Sequence, residues 1–234
     1  MNKKLMLLAT GVLAALAFAA LPAVASAGEF AADCENGAAS CTGEVTGGKI
    51  ELRNDKGEGF SCSSVGGKAT ITNGTSTGAF ELAFRTCKEN ITGFGFSCNN
   101  TGVAGEIKTG SMVTHLIYLE ENKTTPGLKI TFPGHGTGAG GVTFNCAGFA
   151  KKTMTGSLIG HISNPNCGTF QASHTVDFAE VVGSPGVQRW MQATTTGEKT
   201  DLISNNDAGG AYTTIAITGS TAITWTGTKV KLTC

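Results

Sequence analysis

The chain has 234 residues, with 17 basic and 17 acidic side chains, a formal net charge of zero, 8 cysteines, 34 glycines and 7% aromatic residues. No basic run exceeds two residues, as in Lys3-Lys4 and Lys151-Lys152, so the positive field that nucleic acid binding requires is missing. The balance is also too even for strong electrostatic steering of a partner.

The first 27 residues carry a basic start (Lys3, Lys4), an uncharged apolar stretch from Leu5 to Ala20, and a small-residue Ala25-Ser26-Ala27 site after Pro22. That order is a secretory signal peptide, too short for a membrane anchor and without a stop-transfer flank. Cleavage after Ala27 leaves 207 residues carrying 15 basic and 17 acidic side chains, with no membrane span. Residues 28–42, small, polar and cysteine-bearing, are expected as an extended lead-in. Residues 43–234 are expected as a single β domain.

Within that domain, apolar residues recur at every second position. "KIELR" sets Ile50 and Leu52 against Lys49, Glu51 and Arg53; the turn signal "NDKG" follows at 54–57. "NGTSTG" at 73–78 separates the next runs and contains a G-x-S-x-G match around Ser76. A nucleophile elbow needs a helix after the serine, yet "AFELAFR" comes next, aligning Phe80, Leu82 and Phe84 as a strand. "TGSMVTHL" puts His115 on one face with Val113 and Ile117, read as leaning inward. "GLKITF" aligns Leu128, Ile130 and Phe132.

"FPGHGTGAGGVTF" then holds G-x-G-x-x-G at Gly136, Gly138 and Gly141. A dinucleotide site needs a helix to follow, so that its N-terminus faces the pyrophosphate. "GVTFNC" instead alternates through Val142, Phe144 and Cys146 and reads as a strand, so no nucleotide cofactor is expected. "TGSLIGHI" places His161 with Ile159, and the turn "SNPN" follows. "FQASHTVDF" aligns His174 with Phe170, Ala172, Val176 and Phe178. Trp190, beside Arg189, is the best candidate for stacking on a glycan. "DLISNNDAGG" offers oxygen ligands at Asp201, Asn205 and Asp207 but lacks the order and distal Glu of a calcium loop. The last runs align Ile215 with Ile217, Ile223 with Trp225, and Val230 with Leu232.

Three segments begin Thr-Gly-Ser, at Thr109, Thr155 and Thr218, and run into a strand at irregular spacing, a reused turn-to-strand device rather than a solenoid repeat. Together the runs predict an all-β fold, an antiparallel sandwich or barrel of roughly ten to twelve short strands.

An even cysteine count in an exported chain reads as disulfides, and the closest pair has six residues between its members, unlike a zinc knuckle. Facing suggests Cys62 with Cys146 across the core and Cys87 with Cys98 around a local loop. Cys34–Cys41 and Cys167–Cys234 complete the set. The order C-x24-C-x10-C (Cys62, Cys87, Cys98), then "GVAGEIKTG", "GVTFNC" and "MTGSLIGHIS", resembles a group of uncharacterised exported β-rich proteins of high-GC soil bacteria. That resemblance implies an extracellular β fold and no particular activity; Cys34, Cys41, Cys167 and Cys234 fall outside the shared pattern.

The leading expectation is a secreted structural or binding protein of the extracellular or cell-wall space, with no catalytic residue and no cofactor. Extracellular or cell-wall glycan is a candidate partner. Two alternatives stand beside it. One is an extracellular hydrolase, metal-dependent if His115, His161 and His174 converge as a three-histidine site. The other is a carbohydrate-binding module centred on Trp190.

Overall fold

A run that alternates apolar and polar residues can bury only one face, and closing the sheet into a barrel buries that face without leaving an edge. A computed structural model describes residues 28–90, 94–120, 124–133, 141–146, 151–190, 192, 202–206 and 212–234, with backbone alone at 202–206 and 212–213. The expected signal peptide lies outside them. All regular structure among the described residues is β.

In chain order the strands begin with β1 (Ala32–Cys34), β2 (Ser40–Gly47), β3 (Ile50–Asn54), β4 (Gly59–Cys62), β5 (Ser64–Thr72) and β6 (Thr77–Arg85). Next come β7 (Lys88–Glu89), β8 (Cys98–Asn99), β9 (Ile107–Tyr118), β10 (Pro126–Thr131), β11 (Val142–Cys146) and β12 (Lys151–Ile162). The last are β13 (Phe170–Gln171), β14 (Ser173–Phe178), β15 (Glu180–Val181), β16 (Ser184–Gln188), β17 (Leu202–Asn206), β18 (Tyr212–Trp225) and β19 (Val230–Leu232). Strands outnumber the ten to twelve expected because stretches such as β7, β8, β13 and β15 pair over only two residues.

The 14-stranded sheet closes on itself twice. One ring of antiparallel ladders runs β2-β5-β6-β9-β10-β12-β14-β18 and returns to β2. The second runs β3-β4-β7, crosses to β8 through the Lys88–Ser97 bridge, and continues β11-β12-β17-β18 back to β3. Two eight-stranded barrels therefore share the long strands β12 and β18.

The Thr-Gly-Ser device marks where these long strands change direction. Gly156, in β12, has φ +102°; it is the last residue that pairs with β17, and the residues that pair with β10 begin at Ser157. Gly219, in β18, has φ +138° between the partners β3 and β2. Gly110, in β9, has φ +68° beside a register shift opposite β6. There Thr109 Oγ1 accepts from Leu82 N at 3.0 Å and donates to Leu82 O at 3.3 Å, replacing the ladder bonds the shift removes. Left-handed backbone suits glycine, and at Gly219 a Cβ would also meet Lys49 O at 2.7 Å.

On β12, residues between the β17 ladder and the β14 ladder have no strand partner on that side among the described residues. The buried Gln188 side chain fills the gap, Oε1 accepting from Ile159 N and Nε2 donating to Ser157 O, both at 3.0 Å. One carboxamide thus acts as a strand residue.

A three-stranded sheet, β1-β19-β13, packs Phe30, Ala32, Val230 and Leu232 into the core that also holds Ile71 and Trp225 of the first barrel. Residues 28–42, expected as an extended lead-in, contribute β1 and the start of β2. Gly28 O accepts from Tyr118 N, Glu29 bridges Ile117, β1 pairs with β19, and β2 already begins at Ser40.

Cys34–Cys41 and Cys167–Cys234 form as expected and tie this cap down. The other two differ from expectation: Cys62 bonds Cys87 and Cys98 bonds Cys146. Register decides. Cys98 lies directly opposite Cys146, and the Ser61–Lys88 pairing places Cys62 opposite Cys87, with Cα atoms 3.9 and 4.0 Å apart. Cys87 and Cys98 are neighbours too, through Cys98 N and Cys87 O, but each bonds away from the other.

Loop entropy grows with the chain a cross-link encloses, and the four enclose separations of 7, 25, 48 and 67 residues. Replacing Cys98 and Cys146 together by Ala is expected to cost about 4 kcal/mol, against about 2.5 kcal/mol for the Cys34/Cys41 pair; urea unfolding checks the order. In the same assay Gly219→Ala should lose roughly 2–3 kcal/mol from strain and overlap. Gly48→Ala, where a Cβ meets nothing within 4 Å, should stay within about 0.5 kcal/mol.

Candidate functional site

The three histidines stand on three different surfaces. β14 turns His174 into the first barrel along with Val176 and Phe178, only 2% exposed. Its neighbour across the ladder is Ile223, two residues before Trp225, so both aromatic rings reach the same interior layer. Trp225 Nε1 donates to His174 Nδ1 at 2.9 Å, with ring planes 70° apart.

An indole N–H only donates. Nδ1 must therefore accept, and the neutral ring carries its proton on Nε2. Burial holds the imidazole to a pKa of about 4, below its ordinary 6.5. Protonating Nδ1 would set two donors face to face. Nε2 itself is buried and has no hydrogen-bond partner among the described residues.

That imidazole lines a cavity with Ile71, Phe80, Leu116, Leu128, Trp225 and, from the cap, Leu232. Thr70 and Thr114 also border it. It leaves ≈ 20 Å³ for the centres of water-sized groups, somewhat more than the roughly 10–15 Å³ one water requires.

His115 points out of the barrel, not inward. On β9 the buried alternate positions are Met112, Thr114 and Leu116, while Val113 is 54% exposed. Both faces of this strand read as apolar because the outer one is covered as well: Ile117, Leu119 and Ile159 form a second small cluster under Trp190. His115 Nδ1 lies 3.6 Å from Glu29 Oε1, and Ser76 Oγ donates to Glu29 Oε2 at 2.5 Å. The carboxylate stands between the serine and the imidazole, and among the described residues no hydrogen bond joins Ser76 to His115. A serine nucleophile needs the base at its own hydroxyl. As expected, the segment after Gly74–Gly78 is a strand, β6.

His161 is also outward, its ring 5.1 Å from Trp190. Trp190 is half-buried, with the Arg189 guanidinium 4.6 Å over its ring. Little of the indole is left to stack on a sugar. The three-histidine site is thus not assembled, and no group of three His, Cys, Asp or Glu side chains converges among the described residues.

Other carboxylates are held locally. Lys49, and then Arg53, keep the Glu51 carboxyl below its ordinary range. Glu58 accepts from Asn54 Nδ2 inside the β3–β4 turn. Of the glycine motif, Gly136 and Gly138 lie outside the described residues, and β11 follows as a strand. Asp201 and Asp207 lie outside them too, and Asn205 is described by backbone only.

Sequence reading placed His174 and Trp225 on inward faces but missed their partnership, which joins positions 51 apart. Glu29 and Gln188 were missed altogether; no local pattern distinguishes them from solvated polar residues. No family model, curated protein or solved structure matches the chain.

A histidine whose pKa is depressed on folding binds fewer protons than in the unfolded chain between pH 4 and 6.5. Its contribution is therefore complete above pH 6.5 and is lost as pH falls toward 4. Urea unfolding should show wild type losing roughly 2–3 kcal/mol more than His174→Gln between pH 7 and pH 4.5.

Proposed function

We propose that the protein is exported and works outside the cell membrane as a non-enzymatic scaffold or binder. The observation that carries this reading is the pairing of all eight cysteines as four disulfides. Such cross-links persist in oxidising, non-cytoplasmic surroundings. They agree with the leader-like first 27 residues and with the exported β-rich proteins that the cysteine order resembles. Both barrel interiors hold packed apolar side chains, and the buried imidazole is tuned away from proton transfer near neutral pH. Cell-wall or other extracellular glycan remains the proposed partner class, engaged through surfaces other than the Trp190 ring.

The contact of Ser76 with Glu29, beside His115, supports a second reading as an extracellular hydrolase. In that reading Glu29 acts as base toward Ser76, and a fluorophosphonate would label the serine.

Expression of the full chain in a bacterial host separates these readings. We expect exported protein beginning at Gly28, eight blocked thiols by mass, and no fluorophosphonate adduct. Cytoplasmic retention with free thiols would overturn the export reading, and an adduct at Ser76 lost in Glu29→Gln would establish the hydrolase.

A further inference from the structure

Four cysteines stand in one row in the wall of the second barrel. Ser61 pairs with Lys88, Lys88 bridges Ser97, and Cys98 pairs with Cys146. Cys62, Cys87, Cys98 and Cys146 therefore lie directly opposite one another across β4, β7, β8 and β11. All four are buried, and residues directly opposite on neighbouring strands share a face. The outer links are made, Cys62 to Cys87 and Cys98 to Cys146. The middle one is not, although Cys98 N donates to Cys87 O at 2.9 Å. A hydrogen-bonded antiparallel pair sets its Cα atoms about 5.5 Å apart, within the span of about 4.4–6.8 Å that a disulfide bridges.

We propose that this row is a thiol–disulfide relay: reduction of either outer link by a small dithiol forms a Cys87–Cys98 bond and leaves thiols on Cys62 and Cys146. The inference goes beyond the scaffold reading and does not rest on it.

Thiolate attack on one sulfur of a disulfide expels the other, and strand order puts Cys87 and Cys146 on opposite sides of Cys98. The dithiol gives two electrons and two protons to Cys62–Cys87 and closes into its own disulfide. Cys87 then releases its proton to solvent and attacks Cys98. The Cys87–Cys98 bond forms as Cys98–Cys146 breaks, and the Cys146 thiolate takes a proton back. Entry at Cys98–Cys146 runs in mirror image, Cys98 attacking Cys87 and expelling Cys62, with the same products. Access comes from the ladders themselves. β4–β7 and β8–β11 pair over two residues each, and β7–β8 over one bridge; seams this short open locally. The new bond ties β7 to β8, so a reducing signal moves a cross-link onto the junction that a single bridge holds.

Two variants of the full chain test the exchange without added reductant. In air-oxidised Cys62→Ser, Cys87 starts without its partner. A Cys87–Cys98 link with a free thiol on Cys146 is expected in about one molecule in ten or more, as for two pairings within a tenfold equilibrium. In Cys146→Ser the same link is expected, with the thiol on Cys62. Thiols are blocked with N-ethylmaleimide and unreduced tryptic peptides are mapped by mass. Wild type requires neither variant to fold: titrated with dithiothreitol under native conditions until label first appears in the row, it should carry that label on Cys62 and Cys146 and yield the Cys87–Cys98 peptide.

Free thiol that stays on Cys87 in the first variant and on Cys98 in the second would overturn the relay. So would wild-type label confined to Cys62 with Cys87, or to Cys98 with Cys146. Links from the row to Cys34, Cys41, Cys167 or Cys234 would show exchange through unfolded chains and reject it equally. None of these results bears on export or on a Ser76 adduct.

Discussion

Two strands, β12 and β18, each belong to both barrels, and that sharing governs the rest of the architecture. A strand serving two closed sheets must exchange one set of hydrogen-bonded neighbours for another without breaking its own backbone. Gly156 and Gly219 allow this, because their positive φ re-aims the strand where the partners change. Backbone groups stranded by the exchange still need partners. On β12 the Gln188 carboxamide supplies two of them. Closing both rings leaves few unpaired edges, which in an all-β chain also limits edge-to-edge association.

Covalent bonds appear where hydrogen bonding is thinnest. β7 and β8 contribute only two residues each to the second ring, and Cys62–Cys87 and Cys98–Cys146 flank that junction. The cap, whose strands are two or three residues long, carries the other two disulfides. Ladders this short contribute little cooperativity alone, and a glycine-rich chain loses much backbone entropy on folding. Shrinking the unfolded ensemble offsets part of that loss at the weakest seams.

The groups with chemical potential are divided among separate surfaces. His174 is inside and committed to Trp225, His115 is outside beside Glu29, and His161 packs on Trp190. Catalysis by metal or by serine would need at least two of these functions at one point. The interior instead combines one oriented imidazole with apolar walls.

Much of the fold was legible in the chain because its physical causes are local. Period-two runs such as "AFELAFR", the turns at Asn54–Gly57 and Asn73–Gly78, and strands following both glycine motifs determined an all-β class. The three Thr-Gly-Ser segments read as turns leading into strands, whereas Gly110, Gly156 and Gly219 lie inside β9, β12 and β18. Tertiary structure alone decided which strands meet, since register depends on contacts far apart in sequence. For that reason Cys62 bonds Cys87 and not Cys146, and His115 faces out, as both sides of β9 are covered. The His174–Trp225 pair belongs to the same class: facing is written every second residue, but partnership is set only when the ring closes.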